Sequence, residues 1–179
     1  LPVTDAGTSR LLGIVTCVDI IDFLGGGDLY RLVEEKYRGN LVAAVNEEVR
    51  EIMKKEVVSL HEDGTLKEAL DLMISKNISA LPITNSEGII RGIVTERDFV
   101  WYAAGKVKGK TVEEYMTKKI ISAPPTISIK NASEILINNK IRRLPIVTDD
   151  VLIGMITSTD IVRFLASGEV FEKLITGDI

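Results

Sequence analysis

Three times along the chain a glycine is followed by two apolar residues, a threonine, two further residues and an aspartate: Gly13/Thr16/Asp19, Gly92/Thr95/Asp98 and Gly154/Thr157/Asp160. Each time the apolar pair closes a strand-like run and a helix-like run follows the threonine. A helix N-terminus offers unpaired N–H groups and a partial positive charge, so a capping threonine with those amides can hold a phosphate. An aspartate about one turn in can accept two hydrogen bonds from the vicinal hydroxyls of a ribose, each worth about 1.5–3 kcal/mol when the acceptor is charged. Together these groups suit a nucleoside phosphate. The same spacing is also an ordinary capping device, with threonine bonding the third amide and aspartate favouring the dipole. Duplication carries a cap along as readily as a ligand site, so the pattern alone leaves both readings open.

The motifs lie inside longer repeats, and repeats decide the fold. Residues 81–98 read LPITNSEGIIRGIVTERD, residues 144–160 read LPIVTDDVLIGMITSTD, and residues 1–19 read LPVTDAGTSRLLGIVTCVD. Upstream, VREIM (Val49 to Met53) answers VEEYM (Val112 to Met116), and Val57-Val58-Ser59 answers Ile120-Ile121-Ser122. Local signals predict, for the unit starting at Val57, a strand to Leu60 and a helix opened by a Thr65/Glu68 capping box, with a buried stripe of Leu66, Ala69, Leu70 and Met73. A strand over Ala80 to Thr84, a turn at Asn85-Ser86-Glu87-Gly88, a strand over Ile89 to Val94 and a helix after Thr95 bearing Phe99, Val100 and Tyr102 complete it. A short helix ending near Met53 precedes the unit. The fold class is therefore α/β (α+β), in tandem units of strand-helix-strand-strand-helix. Such units of roughly 60 residues bury only about 60% of their extended surface and should pair. Residues 1–24 form the latter half of a first repeat and 25–48 a linker with a short helix over Asp28 to Tyr37. Residues 49–105 and 112–167 are complete repeats, and 168–179 run toward a fourth, with Val170, Phe171, Leu174 and Ile175 at helical spacing. The abrupt start at Leu1 reads as a fragment.

Composition narrows the function. With 179 residues, 45% hydrophobic and 27% charged, the chain can bury one or two cores, and 22 Lys and Arg against 26 Asp and Glu leave no basic footprint for nucleic acid. The apolar stretch from Leu11 to Leu24 is broken by Asp19 and Asp22 before the ~20 residues a membrane span needs. Cys17, the single cysteine, cannot form an internal disulfide, so a reducing cytoplasm is the expected location and a small buried side chain its expected role. His61, the single histidine, reads as a solvent-facing loop residue and not a metal ligand. Trp101 and Tyr102 read as packing residues at a repeat interface. No nucleophile constellation, Walker-type loop or metal-ligand cluster stands out, which points away from an enzyme.

The phrases LPIT, GIVTERD and MKKEVV resemble the cystathionine-β-synthase (CBS) domain family in order, spacing and period. The joining segment FLGGGDLYRLVEEKYRGNLVAAVNEEVREIM further resembles archaeal proteins with four CBS repeats, similar to the gamma subunit of AMP-activated protein kinase. The resemblance implies repeats paired about a pseudo-twofold axis, with AMP, ADP or ATP in clefts between them and S-adenosylmethionine ranking lower. It implies regulation of an enzyme or transporter and no catalysis. Carried over by position, Thr16 with Asp19, Thr95 with Asp98, and Thr157 with Asp160 take phosphate and ribose. The base lies against the partner repeat, on Val58, Ser59, Ser79, Ala80 and Leu81 or on Ile121, Ser122, Arg142 and Arg143. Arg142 and Arg143 stand where a basic residue meets phosphate, whereas the second repeat has Ser79 and Ala80 there. Gly64 stands where family members offer a threonine hydroxyl. On this reading the Asp19 cleft is completed by the second repeat. The third repeat lacks its partner, so its helix faces at Ile135/Leu136 and Ile161/Val162/Leu165 are exposed and drive a twofold homodimer.

Overall fold

The computed structural model describes residues 2–8, 10–24, 46–105 and 111–165; the helices expected over 28–37 and 168–179 lie outside them. In chain order the elements are β1 (Pro2–Thr4), β2 (Leu11–Ile14), α1 (Cys17–Leu24), β3 (Leu60–His61), α2 (Leu66–Ser75), β4 (Ala80–Thr84), β5 (Ile90–Thr95), α3 (Glu96–Ala103), α4 (Ile129–Asn138), β6 (Arg143–Thr148), β7 (Val151–Thr157) and α5 (Ser158–Leu165). Single 3-10 turns at Val49–Glu51 and Val112–Glu114 stand where short helices before each complete repeat were expected. The chain divides into two compact units. One holds Leu1–Met53, Pro125–Leu144 and Met155–Ile179, the other Lys54–Pro124 and Pro145–Gly154.

In the second of these units β4 runs parallel to β3 and antiparallel to β5. All five residues of β4 are buried, as a strand sandwiched between layers requires. The first strand is shorter than its apolar run suggests: the ladder starts at Leu60, leaving Val57 to Ser59 ahead of it. The Thr65/Glu68 capping box forms as expected and turns Leu66, Ala69 and Met73 into the core. Leu70 departs from the expected stripe, being 40% exposed. Ala69, Met73, Leu81, Ile83, Val94, Val112 and Met116 make the core, with Phe99 of α3 against it. Val100 is exposed, and Tyr102 meets Tyr115 edge-on with ring centroids 5.7 Å apart.

The segments ahead of the two complete repeats are exchanged. The Val112 N–H donates to the Gly64 carbonyl at 2.8 Å, and Ile93 and Thr117 exchange hydrogen bonds. In the other unit the Val49 N–H donates to the Ile127 carbonyl at 2.9 Å and Ile129 donates to Glu47 at 2.9 Å. Each complete repeat thus carries its sister's leading turn, so the pair is formed by repeats two and three, not by one and two. Strands β6 and β7 form a two-stranded sheet joined through Asp149 and Asp150, both at positive φ (49° and 63°), the backbone that a tight two-residue connection demands.

In the first unit β1 and β2 form an antiparallel hairpin leading into α1. Helix α1 packs across α4 and α5. Ile21, Leu136 and Ile161 are each no more than 1% exposed and Leu165 is buried with them. This overturns the expected open face on repeat three. The apolar stripe of α4 and α5 is already covered by a helix of the first repeat, so the premise for a dimer through repeat three is gone. Cys17 is likewise not the buried residue expected; it is exposed at the first position of α1.

Candidate ligand pocket

All three Thr-x-x-Asp motifs fold as capping boxes. Asp19 Oδ2 accepts from the Thr16 N–H and hydroxyl, both at 2.7 Å; Asp98 Oδ2 accepts from Thr95 at 2.6 and 2.8 Å; Asp160 Oδ2 accepts from Thr157 at 2.9 and 2.6 Å. The Thr65/Glu68 pair, which no ligand reading touches, has the same geometry at 2.7 and 2.8 Å. The motif is therefore a cap in every copy, and one carboxylate oxygen is committed to it. The Thr16 hydroxyl, and after it the Thr16 N–H, holds the Asp19 carboxyl below its ordinary range, so it stays ionised across neutral pH. Asp160 is buried and has the Arg163 guanidinium 3.8 Å from Oδ1.

What distinguishes one copy is its surroundings. Asp19 lines a pocket of about 330 Å³ together with Lys140, Arg142 and Ser158, over an apolar wall of Val18, Ile21, Leu136, Ile137 and Ile141. That volume falls at the small end of ordinary ligand sites, which combine apolar walls with a few convergent polar groups. The lining residues carry two cations and one carboxylate, so the lining is net positive. The Ser158 N–H and hydroxyl both donate to the Arg142 carbonyl, at 3.1 and 3.4 Å, which fixes the backbone from which Arg142 projects.

The structure brings together Asp19 and Arg142, which the sequence reading assigned to different clefts. The Asp19 cleft is thus completed by repeat three, correcting the expectation that Val58, Ser59 and Ser79 to Leu81 of repeat two complete it. Of those repeat-two residues, Ser79 to Leu81 adjoin their own motif: Ala80 pairs with Thr95 across β4 and β5, Leu81 with Val94, and the Glu96 N–H donates to the Ser79 carbonyl at 3.4 Å. Ile121 and Ser122 precede Ala123, which pairs with Ile146 of β6 beyond Arg143. Thr157 sits beside Ser158 and hence near Arg142 of the same repeat. In repeats two and three the segment before Leu-Pro therefore lies beside its own repeat's motif. Lys140 was missed; its signal in the sequence is a second basic residue two positions before Arg142, facing Asn77 two before Ser79 in the sister repeat. Gly64 has a structural reason of its own, because a Cβ there would fall 2.7 Å from Leu60 Cγ and 2.9 Å from the His61 carbonyl, leaving no room for a threonine.

Residues 49–105 and 112–167 each match the CBS domain. An uncharacterised protein of Methanocaldococcus jannaschii, MJ1225, is 38% identical across the whole chain, which spans 64% of that relative's length, less than two thirds. The CBS domain pair of protein MJ0100, solved with 5-methylthioadenosine and S-adenosyl-L-methionine, matches 66% of the chain and 95% of its own length, at 30% identity and a TM-score of 0.61. The protein CBSX2, solved with AMP, matches 65% of the chain and 93% of its own length, at 26% identity and a TM-score of 0.59. Among the described residues no helix is long and apolar enough to cross a membrane.

Proposed function

The chain belongs to the CBS-domain family, and from that premise we propose that it is a regulatory module that binds AMP, ADP or ATP and performs no chemistry on them. The observation that carries this reading is the convergence of Asp19, Lys140 and Arg142 on one apolar-walled pocket. A purine lies against Ile21, Ile137 and Ile141, the ribose hydroxyls meet the Asp19 oxygen left over from the cap, and the phosphate faces the two cations. Because α1 belongs to the first repeat and Lys140 and Arg142 to the third, a ligand here links two repeats. A ligand of unequal affinity for two arrangements of those repeats shifts their equilibrium by that difference, which is the physical content of regulation. Relatives of the same fold solved with AMP or with adenosyl compounds support an adenine ligand.

A second reading has its own observation. The Thr65/Glu68 box reproduces the motif geometry where no ligand is expected, as it would if the repeats were a scaffold for self or partner contacts. Titration calorimetry with AMP, ADP, ATP, S-adenosylmethionine and 2′-deoxy-AMP separates the two. The nucleotide reading expects a micromolar ribonucleotide, about 8 kcal/mol, and clear weakening with the deoxy analogue. Asp19→Asn should weaken binding more than it lowers the melting temperature. Loss of stability with unchanged affinity leaves only the cap.

A further inference from the structure

We propose that Asp63 is a modification site: its bond to Gly64 isomerises spontaneously to an isoaspartyl linkage in the folded protein, and the change releases the leading turn of repeat three from repeat two.

The first ground is the dipeptide and the reason it persists. The nitrogen of a peptide bond closes on the carboxyl carbon of the preceding aspartate most readily when its own residue has no Cβ in the way, as in glycine. Asp63 is the one aspartate or asparagine in the sequence that is followed by glycine. Packing holds that glycine in place, because a Cβ would fall 2.7 Å from Leu60 Cγ, 2.8 Å from Leu60 Cδ2 and 2.9 Å from the His61 carbonyl oxygen. The fold therefore keeps the residue that makes the aspartate labile.

The second ground is the setting. The Asp63 side chain is 87% exposed, with Oδ2 3.4 Å from His61 Nδ1, so water reaches the carboxyl group. The Gly64 N–H donates to the His61 carbonyl at 2.8 Å, so attack needs that one turn to open, the kind of local opening that exposed loops undergo well short of global unfolding. In the step itself the Gly64 nitrogen bonds to Asp63 Cγ, the Cγ–OH bond of the neutral acid breaks, and the amide proton and the hydroxyl leave as water. Water then adds to either ring carbonyl. At Cγ it restores aspartate; at the main-chain carbon it leaves the chain running through Cβ and Cγ with a free α-carboxylate. One water leaves and one returns, so no co-reactant is needed.

The third ground is what the lengthened peptide holds. The Gly64 carbonyl accepts from the Val112 N–H at 2.8 Å, and the next residue, Thr65, bridges to Thr111. Val112 is fully buried, so its N–H has no water to turn to once the extra main-chain carbon displaces the acceptor. This is the contact by which repeat two carries its sister's leading turn.

The test ages the full chain at neutral pH and physiological temperature, folded and in urea, beside an Asp63→Glu variant, whose larger ring closes slowly. Isoaspartate is counted by methyl transfer from S-adenosylmethionine with an isoaspartyl methyltransferase and located by peptide mass spectrometry. Folded wild type is expected to accumulate isoaspartate at Asp63, at unchanged mass, in excess of all its other aspartates together. Asp63→Glu is expected to lose that signal while melting with the wild type, since the side chain is exposed. In the isomerised fraction the Val112 amide is expected to lose its hydrogen-exchange protection. Isoaspartate that forms in urea but not in the folded chain, or that spreads evenly over the aspartates, overturns the site. Isoaspartate at Asp63 with Val112 still protected overturns the release.

Discussion

The glycine that opens each Gly-x-x-Thr-x-x-Asp motif can be asked whether it serves a ligand or the packing, and Gly92→Ala asks it. A Cβ on Gly92 would fall on the Met116 side chain, 2.5 Å from Cγ and 2.9 Å from Cβ. Met116 is buried among Ala69, Met73, Leu81, Ile83, Val94 and Val112 and has little room to move. Overpacking of this kind costs about 1–3 kcal/mol. Alanine also restricts the unfolded chain, which returns about 0.4–1 kcal/mol. At the middle of these ranges the variant should therefore be destabilised by ~1.3 kcal/mol. Gly13, at the same motif position in the first repeat, has no atom within 4 Å of its would-be Cβ. Gly13→Ala should then be neutral or stabilised by up to about 1 kcal/mol. Urea unfolding measures both as shifts in midpoint at constant slope. Truncating Met116 in the Gly92→Ala background should cost less than truncating it in the wild type, because the clash disappears with the side chain. If Gly92→Ala is as stable as wild type, or if Gly13→Ala is destabilised equally, close approach of Met116 is not why the motif carries glycine.

Asp150→Gly should stabilise the protein by up to about 1 kcal/mol, read as a higher melting temperature, because Asp150 occupies the left-handed region at φ 63°. Leu136→Ala should cost about 2–5 kcal/mol in chemical denaturation, since Leu136 is buried beneath α1. Ile74→Ala should change stability by less than about 0.5 kcal/mol, because Ile74 on the sister helix is 70% exposed. Acid titration should expose the Thr65/Glu68 cap. The Thr65 N–H, and after it the Thr65 hydroxyl, lowers the Glu68 pKa in the folded state, so the unfolded chain binds the proton more readily. The stabilisation is therefore full above the unfolded value, near pH 4–5, and is lost as pH falls through the lowered folded value. Melting curves of wild type and Glu68→Gln should differ by a constant amount at neutral pH and converge in acid; a difference that stays constant as the pH falls contradicts the hydrogen-bond origin of the effect.

Much of the fold was legible because it is local. The capping box at Thr65, strand β4 and the turn after Asn85 are written in residues a few positions apart, and the structure has each where the spacing puts it. Leu70 was misjudged because an apolar stripe shows that a face is apolar, not that anything covers it. The pairing of repeats was misjudged for a related reason. The family resemblance implied that the second repeat completes the first repeat's Asp19 cleft. The deciding contacts are instead the leading turns Val49–Glu51 and Val112–Glu114, whose Val49 and Val112 N–H groups find carbonyls of the sister repeat. Those turns align with each other in the repeat, and that alignment says nothing about which repeat each turn lands on.

The same limit explains what could be read of the pocket. Asp19 and Arg142 were each identifiable from their motif, one as a helix-start carboxylate and the other as a basic residue before Leu-Pro, but their meeting depends on α1 lying across α4 and α5. That packing also explains why identical caps have different prospects. Asp19, Asp98 and Asp160 are held by their threonines in the same way, so the cap cannot decide which of them meets a ligand. Lys140 and Arg142 beside Asp19, against Asn77, Ser79 and Glu96 at the matching places in repeat two, give the duplicated backbones opposite electrostatic character. Duplication supplied equivalent helix starts, and divergence of charge beside them is what can confine a phosphate to one.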